Sequence, residues 1–194
     1  MSKSPVSKLD MDFIRACTSS SKSRASLHSA LQDEKFCEHA RWIAIVIATW
    51  QRIETQLSIL YALLLKLEYR HSLIAWHAIQ NHRTRIQTIS SALHEFVRDE
   101  KILEAWKDIQ PDIKKAKSLR DTFAHAQWEP NPKKNHVLEM RSTYVEDRII
   151  EKTVLYPLNN IKANAAQVCG IGGDVSKFVI EVHHALRSSR KKSE

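Results

Sequence analysis

A long stretch of regularly spaced apolar residues, from about residue 33 to residue 68, most constrains the fold of this chain. Its apolar positions step by three or four residues, the period of a helix that buries one face in a bundle. These positions are Ile43, Ile47, Trp50, Ile53, Leu57, Leu60, Leu64 and Leu67. Only 3 glycines and 5 prolines occur in 194 residues, so long helices are favoured over a sheet-based fold. The sequence predicts a mainly α, up-and-down helical bundle.

Two further parts of the bundle are predicted from apolar spacing and from proline. A second apolar stripe predicts a helix over residues 72–98, antiparallel to the first across a short link at residues 69–71. Residues 102–109 are expected to form a short helix. Pro111 is then well placed as the first residue of the next helix, which runs to about residue 126.

The last third of the chain is predicted to contain a hairpin and a C-terminal helix. Val, Ile, Thr and Tyr are frequent in residues 136–156, which favours a β-hairpin appended to the bundle. A helical pattern resumes at Leu158. The glycines within residues 170–173 either break this helix or kink it before Asp174.

Composition divides the chain into three parts. Residues 1–32 are predicted to be an N-terminal arm that is partly disordered or forms short helices, and residues 33–188 a single helical domain. Residues 189–194 form a basic tail. The N-terminus has no apolar run of the signal-peptide kind, so we expect a chain that is neither exported nor membrane-spanning.

Charge and cysteine usage indicate the compartment and the partner. The formal net charge is +8, which favours an anionic partner, RNA first. A solvated basic surface is the alternative. The 3 cysteines, Cys17, Cys37 and Cys169, are widely spaced and suggest neither a disulfide framework nor a zinc site. We therefore expect a cytoplasmic protein without a metal or other cofactor.

One short segment carries most of the chemistry. Residues 120–125 read R-D-T-F-A-H and place a guanidinium, a carboxylate and an imidazole at the end of a predicted helix. Arg120 offers a fork of donors suited to phosphate, and His125 can exchange protons near neutral pH. Asp121 lies one helical turn before His125. These groups suit phosphodiester chemistry.

This segment resembles the R-[N/D/H]-x3-H signature of the HEPN superfamily, helical-bundle domains that include metal-independent ribonucleases and the toxins of toxin–antitoxin pairs. The resemblance covers the motif and a helical layout over about residues 33–190. It implies that His125 handles the proton, that Arg120 stabilises the phosphate, and that Asp121 orients His125 or touches the substrate. Thr122 would contribute a hydroxyl.

Several other residues are candidates for substrate binding. Lys114, Lys115 and Lys117 precede the motif and would neutralise phosphates. Arg83 interrupts the apolar stripe of the second helix, so it either lines a wet cleft or is a salt-bridged or snorkelling residue. Glu54 lies next to Ile53, one of the apolar positions of the first predicted helix, and is either a site residue or a solvated carboxylate.

Histidines elsewhere do not suggest a metal site. His77 and His82 are five residues apart, which is a poor spacing for ligands on one helix face. We interpret them as surface or packing histidines.

Two functions of different classes follow from these residues. The first is a metal-independent endoribonuclease, a toxin or defence effector in the HEPN manner. The second is a non-catalytic helical module that binds RNA or a protein partner, such as an antitoxin. In the second case Arg120 and Asp121 are a solvated pair and His125 favours the negative end of its helix.

Helix geometry favours a homodimer. Five steps of about 100° place Arg120 and His125 about 140° apart around an ideal helix, so they do not share one face. In the HEPN ribonucleases that this segment resembles, two protomers bring both copies of the motif to a shared cleft. We expect an interface that includes residues 112–126 and the second helix near Arg83.

Overall fold

A computed structural model describes residues 34–131, 133–134, 137–142 and 152–191. Within them the chain forms five helices and three strands, in the order α1 (Glu34–Leu65), α2 (Tyr69–Ala78), α3 (His82–Phe96), α4 (Glu100–His125), β1 (Gln127–Pro130), β2 (Val137–Ser142), β3 (Lys152–Pro157) and α5 (Leu158–Lys191). The predicted mainly α fold with appended antiparallel strands is confirmed. The predicted N-terminal arm, residues 1–32, and the last three residues of the basic tail lie outside the described residues.

The core lies between the long helices α1, α4 and α5. The predicted seam of α1 supplies Trp50, Ile53, Leu57, Leu60 and Leu64, all of which are buried. Two predicted seam residues are exceptions, because Ile47 is 36% exposed and Leu67 lies beyond the helix and is 40% exposed. Against this seam pack apolar residues of the other two helices, chiefly Trp106, Ile113 and Phe123 of α4 and Ile161, Val168, Val175 and Val182 of α5.

The prediction of one continuous helix over residues 72–98 is wrong, because two helices, α2 and α3, occupy this part of the chain. The chain turns at residues 66–68, where Lys66 has a φ of 53°, and the next residues already belong to α2. A second turn at residues 79–81 separates α2 from α3. Asn81 caps α3 by accepting a hydrogen bond from the backbone N–H of Arg83 at 2.8 Å. This turn places the start of α3 beside α4.

The predicted helix boundary before Pro111 is also wrong, because α4 runs through this proline from Glu100 to His125. An interior proline removes one backbone hydrogen bond and costs about 3 kcal/mol. Ile109 and Ile113, on either side of it, are buried, while the proline ring is exposed. Burial of the apolar face therefore offsets the local cost.

The glycines within residues 170–173 do not break α5, which is continuous from Leu158 to Lys191. Gly172 has a packing role instead. A Cβ at this position would lie 3.2 Å from Cγ2 of Thr49 and 3.6 Å from Cγ1 of Ile53. The missing side chain thus lets α5 approach α1 closely.

The predicted hairpin is present as β2 and β3, which pair antiparallel with Leu138 opposite Tyr156. The structure adds β1 on the other side of β2, so the sheet has three strands in the order β1-β2-β3. Trp128 of β1 and Tyr156 of β3 contact Phe123 of α4, with ring centroids 5.5 and 5.7 Å from the Phe123 ring. The sheet therefore packs on the end of α4 that carries the motif.

Among the described residues, no helix combines the length and the apolar character that a membrane span requires.

Candidate functional site

The motif segment lies in the last two turns of α4 and is held by its buried aromatic residue. Phe123 is 2% exposed and contacts Trp128, whose indole Nε1 donates a hydrogen bond to the Phe123 carbonyl at 3.1 Å. With Phe123 fixed, the helix period determines the direction of the residues around it. The motif side chains therefore occupy set positions on the helix.

Arg120 and Asp121 line a cleft of about 1220 Å³ between α1, the start of α3 and α4. This volume exceeds that of an ordinary small-molecule pocket. Its wall contains residues of α1, α3, α4 and the turn before α3, namely Trp50, Glu54, Gln80, Asn81, His82, Arg83, Arg85, Ile86, Gln87, Lys107, Gln110, Pro111, Lys114, Lys117, Arg120 and Asp121.

The cleft carries a large excess of positive charge. Six of its lining residues are cations, namely Arg83, Arg85, Lys107, Lys114, Lys117 and Arg120, against the two carboxylates Glu54 and Asp121. Like charges in a concave surface add their fields and concentrate counter-ions there. The cleft therefore attracts anions.

Asp121 holds two of these cations together. Lys117 and Arg120 both donate hydrogen bonds to its carboxylate, the second at 3.1 Å. Burial alone would raise the pKa of Asp121, but the hydrogen bonds and charges of Lys117 and Arg120 outweigh it and lower this pKa below its ordinary value. Asp121 is thus ionised at neutral pH and orients these two cations.

Arg120 keeps donor capacity beyond this ion pair. Its Nη1 bonds to Asp121, while its Nε is buried and has no hydrogen-bond partner within the described part of the chain. A guanidinium presents five donors in one plane, and the η donors that Asp121 does not use can also bind an anion.

Glu54 and Arg85 form an ion pair on the wall of the cleft, with 3.1 Å between Arg85 Nη1 and Glu54 Oε1. Arg85 Nε also donates to the carbonyl of Ile79 at 2.7 Å, and the guanidinium lies 5.1 Å from the centre of the Trp76 ring. Glu54 is therefore a paired carboxylate of the cleft rather than a solvated one. Arg85 was not among the site residues predicted from the sequence.

His82 is a further cleft residue, which the sequence predicted only as a surface or packing histidine. Its ring meets Trp50 edge-on at 5.3 Å, and its Nδ1 is buried without a hydrogen-bond partner among the described residues. Burial first, then the charges of Lys117 and Arg85, lower the pKa of His82 to about 4, with Asp121 opposing them. The imidazole is thus neutral at physiological pH.

The structure separates the predicted site residues into two groups. Arg83, Lys114, Lys117, Arg120 and Asp121 line the cleft. The others are not part of its wall: His125 is the exposed last residue of α4, Lys115 is exposed, and Thr122 is half-buried. One copy of the chain therefore does not bring Arg120 and His125 into the same cleft.

Among the described residues, no group of three or more His, Cys, Asp or Glu side chains could hold a metal ion. No protein-family model, curated protein or solved structure matches this chain.

Proposed function

We propose that the protein is a metal-independent endoribonuclease of the HEPN type that acts on single-stranded RNA. The observation that carries this proposal is the cationic cleft, because it joins Arg120 of the motif to five further cations. RNA is a polyanion, and each neutralised phosphate releases counter-ions and strengthens binding. A flexible single strand can follow such a cleft more easily than a duplex.

The proposed reaction needs only groups that the chain itself supplies. The 2′-hydroxyl loses its proton to a base and attacks the adjacent phosphorus, and the bond from phosphorus to the 5′-oxygen breaks as that oxygen takes up a proton. His125 would transfer protons, and Arg120 would stabilise the negative charge on the phosphorane. Lys114 and Lys117 would bind neighbouring phosphates. The products carry 2′,3′-cyclic phosphate and 5′-hydroxyl ends.

The position of His125 outside the cleft requires a second copy of the chain in this proposal. In a homodimer packed through α4, Arg120 of one protomer can serve with His125 of the other. Mixing Arg120→Ala protein with His125→Ala protein then restores part of the activity, because some heterodimers contain one intact site. Each variant alone cleaves at least about 100-fold more slowly than the wild type. Full cleavage by a wild-type protein that is monomeric at micromolar concentration would contradict the shared site.

Analysis of the product ends tests the chemistry. We expect cleavage of single-stranded RNA in the presence of EDTA, with cyclic phosphate ends. Activity that appears only with added Mg²⁺ or Mn²⁺ would point to a different mechanism. Lys115→Ala is the matched control for Arg120→Ala on the same helix, because Lys115 does not line the cleft.

The second candidate is a non-catalytic helical module that binds RNA or a protein partner. The position of His125 favours this candidate, because His125 is exposed and does not line the cleft. Growth of an expressing host distinguishes the two. An active ribonuclease slows growth, and Arg120→Ala or His125→Ala relieves the effect, whereas a binding module gives the same growth with and without these substitutions.

A further inference from the structure

The end of the cleft at which α3 begins combines three features that favour an anion. Gln80, Asn81 and His82 line this end, so the N-terminus of the 15-residue helix α3 lies at the cleft. The first backbone N–H groups of a helix and its dipole give this end a partial positive charge. The side chains of α4 supply the second feature.

Two cations of α4 share a single carboxylate at this place. Lys117 and Arg120 both pair with Asp121, so one positive charge of the three-residue cluster is left uncompensated. Arg120 uses Nη1 for this pair, so other N–H donors of its guanidinium remain for an anion. A phosphate, which accepts several charge-assisted hydrogen bonds at once, matches this arrangement.

His82 is the third feature, and it interacts with the same cluster. The charges of Lys117 of α4 and Arg85 of α3 lower the pKa of its imidazole, and the charge of Asp121 raises it. From α1 the ring meets Trp50, and the nearby carboxylate of Glu54 is paired with Arg85. Among the described residues that line the cleft, His82 is the one histidine. Burial is the largest cause of the lowered pKa of His82, and an anion placed here would offset the further lowering that comes from Lys117 and Arg85.

We propose that this end of the cleft binds a phosphate group of RNA, and that the phosphate and a proton on His82 are taken up together. The identity of the ligand rests on the proposed function, but the coupling requires no cleavage. In the free protein the imidazole is neutral. In the complex it becomes a cation that adds to the charge of Lys117 and Arg120.

The coupling makes RNA affinity depend on pH in a defined direction. The other cations that line the cleft are lysines and arginines, residue types that carry their charge throughout the range from about pH 5 to about pH 7.5, as a phosphodiester does. Because a bound phosphate raises the pKa of His82 above its value of about 4 in the free protein, RNA should bind up to about tenfold more tightly near pH 5 than near pH 7.5.

The experiment uses the full chain and a short fluorescent 2′-O-methyl RNA, which lacks the free 2′-hydroxyl and cannot be cleaved. Its affinity is measured by anisotropy across this pH range at constant ionic strength. We expect the RNA affinity of the wild type and of the exposed control His77→Gln to increase by up to about tenfold from pH 7.5 to pH 5. His82→Phe, which keeps a ring against Trp50, should lose most of this gain.

NMR titration of the wild-type protein gives a second readout that needs no variant. The titration midpoint of the His82 imidazole should rise when the 2′-O-methyl RNA binds. Sulfate, which keeps its charge over this range, should shift the midpoint only at much higher concentration than the RNA. Sulfate acting at the same concentration would assign the site to a free anion and overturn the RNA part of the proposal.

The proposal is overturned if the wild type does not bind the oligonucleotide, or if the His82 midpoint does not move on binding. Cleavage of unmodified RNA in EDTA is measured separately. Cleavage without the shift refutes the coupling alone, and the shift without cleavage refutes the endoribonuclease alone.

Discussion

Replacing Arg85 by Met tests whether the wall of the cleft is held by the ion pair between α3 and α1. The substitution removes a 2.7 Å hydrogen bond to the Ile79 carbonyl, a 3.1 Å contact with Glu54 and the stacking over Trp76. The Arg85 side chain is 12% exposed and that of Glu54 is 24% exposed, so both charges are partly desolvated.

The expected loss follows from these contacts. A hydrogen bond that involves a charged group contributes about 1.5–3 kcal/mol and a cation–π contact about 0.5–1 kcal/mol, while the apolar Met side chain recovers part of the burial. We expect the free energy of unfolding to fall by about 3 kcal/mol. For a chain of this size that corresponds to a decrease in Tm of about 6–12 °C.

Thermal unfolding followed by circular dichroism measures this loss. Arg83→Met is the matched control, because Arg83 is exposed on the same helix and should change the stability by less than about 0.5 kcal/mol. In a double-mutant cycle with Glu54→Gln, the coupling energy should be about 1 kcal/mol or more. A decrease in Tm of less than about 2 °C for Arg85→Met would refute the reasoning.

Three further predictions concern the core, the pH dependence and the RNA contacts. Gly173→Ala should stabilise α5 by about 0.5–1 kcal/mol in denaturant unfolding, because the site is open, whereas Gly172→Val should destabilise through contact with α1. Because folding lowers the pKa of His82 to about 4, the unfolded chain binds the proton first. Stability should therefore fall between about pH 6.5 and pH 4 by about 1–2 kcal/mol after solvent screening, and His82→Phe should remove this loss. Lys117→Ala should reduce the salt dependence of RNA binding by a slope of about 0.7, and Lys115→Ala should leave it unchanged.

Local patterns in the sequence predicted the parts of the fold that depend on one helix at a time. The apolar seam of α1 gave the buried Trp50, Ile53 and Leu57 because a helix has a fixed period. Pro111 and Gly172 misled the prediction. Their local preference to interrupt a helix is overridden by packing against neighbouring helices, which a single segment does not encode.

The candidate site was predicted only in part, because the cleft is made by two helices whose relative position depends on a turn. Arg120, Asp121 and Lys117 of α4 were predicted from the motif and its flanking lysines. The apolar spacing predicted α2 and α3 as one helix, so the turn that brings His82 to the cleft was not predicted. Arg85 did have a signal, since it lies four residues before the buried Ile89 and therefore on the inner face of α3.

The most direct test of the central claim is the rate at which the Arg120→Ala protein cleaves a defined single-stranded RNA in EDTA. The wild type and Arg52→Ala, which alters an exposed arginine of α1 away from the cleft, are measured beside it. If Arg120 stabilises the phosphorane, its loss should lower the cleavage rate by about 10²–10³-fold while Arg52→Ala retains the wild-type rate. Equal rates for Arg120→Ala and wild type would contradict the account.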